Sequence, residues 1–122
     1  TKCDFKSFYK KALRIDSDLT LGLKEHQTPF RFGNIHYEDD YVISIEEKPI
    51  LKTNILAGIY FMRPSIFNYI PEKTYFGMDD LINKKLEQKS NVGKIHIKEY
   101  WLDIGVVEDY GNITKVYKKH FK

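Results

Sequence analysis

Asn54-Ile55-Leu56-Ala57-Gly58-Ile59-Tyr60-Phe61-Met62 is almost wholly apolar and shows no alternation. Such a run predicts a strand covered on both faces, at the centre of a sheet. Upstream, Phe30 to Tyr37 and Tyr41 to Glu47 read as two more strands joined by the acidic turn Glu38-Asp39-Asp40. Leu19, Leu21 and Leu23 alternate with Thr20, Gly22 and Lys24, the pattern of a half-buried strand. Asp4 is placed to cap a first helix, because Phe5, Phe8, Tyr9, Ala12 and Leu13 fall on one helical stripe. Downstream, Pro64 suits the first turn of a short helix that Pro71 ends. A further helix follows Asp79 and Asp80, with Met78, Leu81, Ile82 and Leu86 along one stripe, and Val92 to Ile97 reads as a strand. Val106, Tyr110, Ile113 and Tyr117 predict a closing helix, in which Gly111 costs about 1 kcal/mol relative to Ala. Strands mixed with helices throughout make the fold class α/β.

At 122 residues the chain is one domain at most. It is 42% hydrophobic and 30% charged, a soluble globular balance, and no apolar run approaches the roughly 20 residues of a membrane span. The single cysteine, Cys3, excludes an internal disulfide and suits a reducing compartment, so a cytoplasmic location is expected. The net charge is +3, with lysines grouped near both ends. No helix-turn-helix, zinc-finger or RNP-like signature accompanies them, so they read as solvated helix faces and no nucleic-acid partner is expected. His26, His36, His96 and His120 lack metal-ligand spacing. Asp79 and Asp80 read as early-turn acids favoured by a helix dipole.

Two short runs carry chemistry: Glu46-Glu47-Lys48-Pro49 and Glu99-Tyr100-Trp101-Leu102-Asp103-Ile104-Gly105. Lys48 offers a cation suited to a phosphate, and Asp103 a carboxylate suited to a hard metal ion. Together they meet the needs of phosphoryl-group chemistry, which are positioning and charge stabilisation. Each falls at the end of an apolar strand-like run, where α/β proteins place ligands. Taken singly, each has a plainer reading. Glu-Lys-Pro is a common solvated strand end, Trp101 and Tyr60 suit a core, and Asp103 suits a helix cap.

The order of four motifs resembles the second half of the sugar-1-phosphate nucleotidyltransferases, and especially bacterial hexose-1-phosphate guanylyltransferases. The motifs are Phe32-Gly33-Asn34-Ile35, Glu47-Lys48-Pro49, Leu56-Ala57-Gly58-Ile59-Tyr60 and Trp101-Leu102-Asp103-Ile104-Gly105. The resemblance implies the C-terminal part of a Rossmann-like three-layer α/β/α fold with a mixed sheet. It implies that Lys48 holds the sugar phosphate, that Glu47 accepts from sugar hydroxyls, and that Gly33 admits close backbone approach. Tyr60, Gly58 and Trp101 would complete the sugar side, with Leu56 where many relatives carry an Asn. Asp103 would be one of two carboxylates on Mg²⁺. The implied reaction joins an NTP and a sugar 1-phosphate to give an NDP-sugar and pyrophosphate.

The first residues run into a helix with no strand before it, and the family's Gly-rich nucleotide loop is not found within residues 1–122. Residues 1–122 are therefore expected to form the sugar-phosphate-binding part of a longer enzyme, inactive alone and prone to self-association, with a homo-oligomer as the expected assembly. The competing class is a non-catalytic sugar-nucleotide-binding or regulatory subunit of the same fold.

Overall fold

The computed structural model describes residues 1–105 and 107–122. Val106, assigned from sequence to the closing helix, lies outside the described residues. Asp4 opens α1 (Phe5–Arg14), where its carboxylate accepts the backbone N–H of Ser7 at 3.0 Å. Phe8 and Ala12 are the buried positions of that helix. β1 (Leu19–Pro29) follows, then β2 (Asn34–Glu38) and β3 (Tyr41–Glu46). Asp39, with φ of 48°, makes the tight turn between β2 and β3, in a conformation Asp tolerates better than most residues. β4 (Ile50–Met62) leads into a 3-10 turn, Pro64–Tyr69, that stops before Pro71. The remaining elements are α2 (Met78–Glu87), β5 (Gly93–His96) and α3 (Val107–Phe121), which continues through Gly111.

The fold is α/β with a mixed sheet: β1 pairs antiparallel with β4 and parallel with β5, in the order β4-β1-β5. The apolar 54–62 run is therefore an edge strand among the described residues, and the alternating Leu19 strand holds the centre. The first two polar positions of that alternation, Thr20 and Gly22, are small, and this is why that part of the strand packs inward instead of facing water. A Cβ on Gly22 would lie 2.8 Å from the Ile59 carbonyl oxygen, so β4 runs close against it. Thr20 is fully buried beside Gly93. Leu19 to Gly22 are consequently buried on both faces. Leu19 and Leu21 form the core with Ile66 of the 3-10 turn and Leu81 of α2, ringed by Leu23, Tyr60, Phe76, Met78 and Val92.

Two further departures from the sequence reading have local causes. The strand expected from Phe30 begins only at Asn34, because the Phe30 N–H is taken by the Pro49 carbonyl at 2.9 Å, where β1 and β4 close on each other. On α2, Leu86 stays 56% exposed while Lys85 is 2% exposed, its ammonium paired with Asp18. Asp80, read from sequence as an early-turn acid, also accepts the Gly77 N–H at 2.8 Å and so caps α2.

Among the described residues β2 and β3 pair only with each other. The pairs Ile35–Ile45 and Tyr37–Val42 leave apolar side chains exposed on this hairpin. Among the described residues no helix is long and apolar enough to cross a membrane.

Candidate functional site

The β1–β4 ladder has one irregularity, and the site is built on it. Leu21 pairs with Tyr60 and Leu23 with Leu56, so two steps along β1 are matched by four along β4. The bulge this creates contains Gly58 at φ of +67°, a conformation that glycine adopts without the Cβ penalty. Ala57 thereby leaves the regular ladder, and its carbonyl accepts the indole N–H of Trp101 at 2.9 Å. That bond satisfies a backbone acceptor displaced by the bulge and fixes the only tryptophan against β4.

A cleft of about 600 Å³ opens there. β4 contributes Leu56, Gly58 and Tyr60, and the segment after β5 contributes Trp101 and Asp103. β1 adds Lys24, Glu25 and His26. Asp103 is exposed, and among the described residues it has no cationic partner. Glu25 is held below the usual carboxylate range, first by the Gln27 side-chain amide at 2.9 Å and then by Lys52 at 3.9 Å. Lys24 sends its ammonium to the backbone carbonyls of Ile97, Lys98 and Glu99 at 3.2, 3.3 and 2.9 Å.

The residue just before Trp101 is secured from the opposite side. The Tyr100 carbonyl accepts the Lys2 N–H at 2.7 Å, and its ring stacks on His120 of α3 with centroids 3.7 Å apart. Burial and the nearby charges of Lys119 and Lys2 keep His120 below the ordinary imidazole pKa, so the stacked ring favours its neutral form.

Of the residues singled out in the sequence, Leu56, Gly58, Tyr60, Trp101 and Asp103 meet in one cleft. Gly33, Glu47 and Lys48 do not line it; they flank the β2–β3 hairpin at the far end of the ribbon. The steps from Ile50 to Leu56 alone cover roughly 20 Å of strand. Gly33 is closed in by the hairpin itself, since a Cβ there would sit 3.1 Å from Ile45 Cδ1. Lys48 has φ of 45° immediately before Pro49, an unusual backbone conformation for a lysine. Glu25 and His26 were not legible as site residues, because the Leu19–Leu23 alternation gives no sign that β1 continues to Pro29.

One described carboxylate and a neighbouring Glu25 do not make a closed metal cage, and among the described residues no group of three or more His, Cys, Asp or Glu forms one. An exposed, unpaired oxygen ligand such as Asp103 does match the way Mg²⁺ is taken up, through one or two carboxylates plus substrate phosphates.

The family model described as nucleotidyl transferase matches residues 1–120. The chain is 33% identical over 100 residues to the D-glycero-alpha-D-manno-heptose 1-phosphate guanylyltransferase of Campylobacter jejuni, covering 78% of this chain and 43% of that protein. It is 27% identical over 118 residues to a UTP–glucose-1-phosphate uridylyltransferase of Synechocystis, covering 79% of this chain and 30% of that one. Among solved structures, HddC from Yersinia pseudotuberculosis superposes with a TM-score of 0.57 at 29% identity, over 93% of this chain and 49% of HddC. HddC has also been solved complexed with GMP-PN. The chain spans less than half the length of each of these proteins.

Proposed function

The chain belongs to the nucleotidyl transferase family, and on that premise we propose that it forms the sugar-phosphate side of a sugar-1-phosphate nucleotidyltransferase. The observation that carries this reading is the cleft that gathers Trp101, Asp103, Tyr60 and the Gly58 bulge. A guanylyl donor and a hexose or heptose 1-phosphate are the first substrates to try, given the names of the Campylobacter relative and of the nucleotide complex of HddC.

In this reading the sugar ring lies against Tyr60 and Leu56, and the bulge at Gly58 lets it approach the backbone. Trp101 walls the cleft while its indole N–H stays committed to Ala57. Asp103 would hold Mg²⁺, which supplies charge neutralisation at the phosphates. The sugar phosphate oxygen attacks the α-phosphorus of the NTP, the α–β phosphoanhydride bond breaks, and pyrophosphate leaves. The attacking oxygen is already anionic, so no residue has to remove a proton, and catalysis rests on alignment. Lys48 is assigned to the sugar phosphate, a role that requires the β2–β3 end of the ribbon to fold toward the cleft. The nucleotide side of the site would come from residues outside this chain, and the chain alone is expected not to turn over.

The test is ligand binding followed at the single Trp101 indole signal by NMR. Mannose 1-phosphate, glucose 1-phosphate and a heptose 1-phosphate should shift it, and the free sugars should not. An indole signal that ignores every sugar phosphate overturns the assignment. Pyrophosphate release from GTP and the same sugar phosphates is expected to be absent. Turnover that Asp103→Asn abolishes would mean the site is complete within this chain.

A further inference from the structure

A lysine in a cleft read as a phosphate site invites assignment as a phosphate ligand, and Lys24 lines this one. Its hydrogen bonds point elsewhere. An ammonium has three N–H donors and no acceptor. Lys24 spends them on three consecutive carbonyls, those of Ile97, Lys98 and Glu99. The side chain starts on the central strand and ends on the exit from β5, a few residues before Asp103. The Ile97 N–H in turn donates to the Leu23 carbonyl at 2.8 Å, the last backbone link between β5 and β1 before the chain turns away.

Beyond Ile97 the sheet no longer guides the chain, and Lys24 takes over. Charge-assisted bonds to carbonyls are stronger than neutral ones. The tether is continued by two others, the Lys2 N–H to the Tyr100 carbonyl and the Trp101 indole to Ala57. Asp103 lies directly after them and is itself exposed. From this we propose that Lys24 is a positioning residue: it holds the 97–101 segment so that Trp101 and Asp103 face the cleft, and it does not itself bind phosphate. The part of this that concerns Asp103 rests on the metal-side role given above.

The experiment uses the whole 122-residue chain and the single Trp101 indole cross-peak in a ¹H–¹⁵N spectrum. Mn²⁺ serves as the probe, because it broadens nearby signals even when bound weakly. In the unaltered chain Mn²⁺ should broaden the indole peak selectively, compared with amides of α1, and Asp103→Asn should remove the selectivity. Lys24→Met should displace the indole peak and cut the selective broadening roughly tenfold, the size expected for losing a charge-assisted tether. Lys24→Arg, which keeps the charge and the donors, should restore both. An unmoved indole peak with unchanged broadening in Lys24→Met overturns the proposal. If circular dichroism shows that Lys24→Met does not fold, Lys24→Gln decides in its place, a displaced peak supporting the tether and an unmoved one overturning it. If Mn²⁺ shows no selectivity for the unaltered chain yet Lys24→Met displaces the peak, the tether stands and the metal role of Asp103 falls.

Discussion

Lys85 and Asp18 meet at 2.5 Å across the junction of α2 and the start of β1, with the lysine side chain 2% exposed and the aspartate 17%. The ammonium also lies 4.1 Å from the ring centroid of Tyr69, so its hydrophobic stem and its charge are both used. Ser65 adds a hydrogen bond to the same carboxylate at 3.2 Å. Burial by itself pushes the Asp18 carboxyl up, but the hydrogen bond and charge of Lys85, with Ser65, outweigh it and hold the group below the usual carboxylate range.

A depressed carboxyl pKa fixes the sign of the pH dependence. The unfolded chain takes up the proton near pH 4, before the folded chain does. The stability Asp18 contributes is complete above that value and is lost as pH falls through its lower folded value. Chemical denaturation at a series of pH values should show Asp18→Asn with a weaker acid dependence than the unaltered chain. Lys85→Met alone should cost on the order of 3 kcal/mol at pH 7, because it leaves a partly buried carboxylate without its partner. The double variant should recover most of that loss, and a double variant no better than Lys85→Met would show that packing, not charge, dominates here.

The glycines separate by sign. Gly93→Ala and Gly22→Ala each drive a Cβ into fixed neighbours, at 2.7 Å from Ile15 Cγ2 and 2.8 Å from the Ile59 oxygen. Each should cost about 1–3 kcal/mol by overpacking. Gly58→Ala meets open space but must keep a positive φ, at about 1–2 kcal/mol. Gly111→Ala, in the middle of α3 with nothing within 4 Å, should stabilise by roughly 0.5–1 kcal/mol. Denaturant midpoints of the four variants check the order.

Thr20 is fully buried, and among the described residues its hydroxyl has no hydrogen-bond partner. A buried hydroxyl without a partner forfeits its hydration and regains nothing. Thr20→Val keeps the branched shape in a strand and removes that deficit, so a stabilisation of about 1 kcal/mol is expected. A loss of stability in thermal or denaturant unfolding would mean that the hydroxyl is satisfied in solution.

Lys48 combines a positive φ with a following proline. Lys48→Gly should relieve the backbone and raise stability by roughly 1 kcal/mol, while Lys48→Ala should not. Both should weaken sugar 1-phosphate binding to a similar extent if the ammonium is the phosphate ligand. In an assembled two-substrate enzyme, Lys48→Ala should raise KM for the sugar 1-phosphate by far more than for the NTP. Equal effects on the two substrates would remove the assignment.

Much of this was legible because local chemistry decided it. Asp4 had a helical stripe behind it, Pro64 and Pro71 bracketed a short helix, and the acidic Glu38-Asp39-Asp40 sat between two strand-like runs. The Trp101-Leu102-Asp103 run and the Leu56–Tyr60 strand were each singled out by their motifs, and the structure brings them into one cleft. What escaped were decisions made between elements. Apolar character in 54–62 reports surface that wants cover, not which strand lies at the centre. Lys85 carries no apolar signal, and only the position of Asp18 makes burying it favourable. Lys24 looks like the solvent half of an alternating strand until the β5 carbonyls are placed beside it.

The bulge at Gly58 also acts as a break in bookkeeping along the chain. On one side of it, Leu19 to Leu21 are locked in register with Tyr60 to Met62 beneath the core. On the other, Leu23 to Pro29 are paired with Ile50 to Leu56, where most side chains are exposed. A residue gained or lost on the exposed side can be absorbed at Ala57 to Ile59 without turning Leu19 and Leu21 toward water, whereas in an unbroken ladder a single-residue slip would invert every side chain. The cleft thus sits on a slip joint, which gives descendants of this fold room to reshape what they hold while leaving the core untouched.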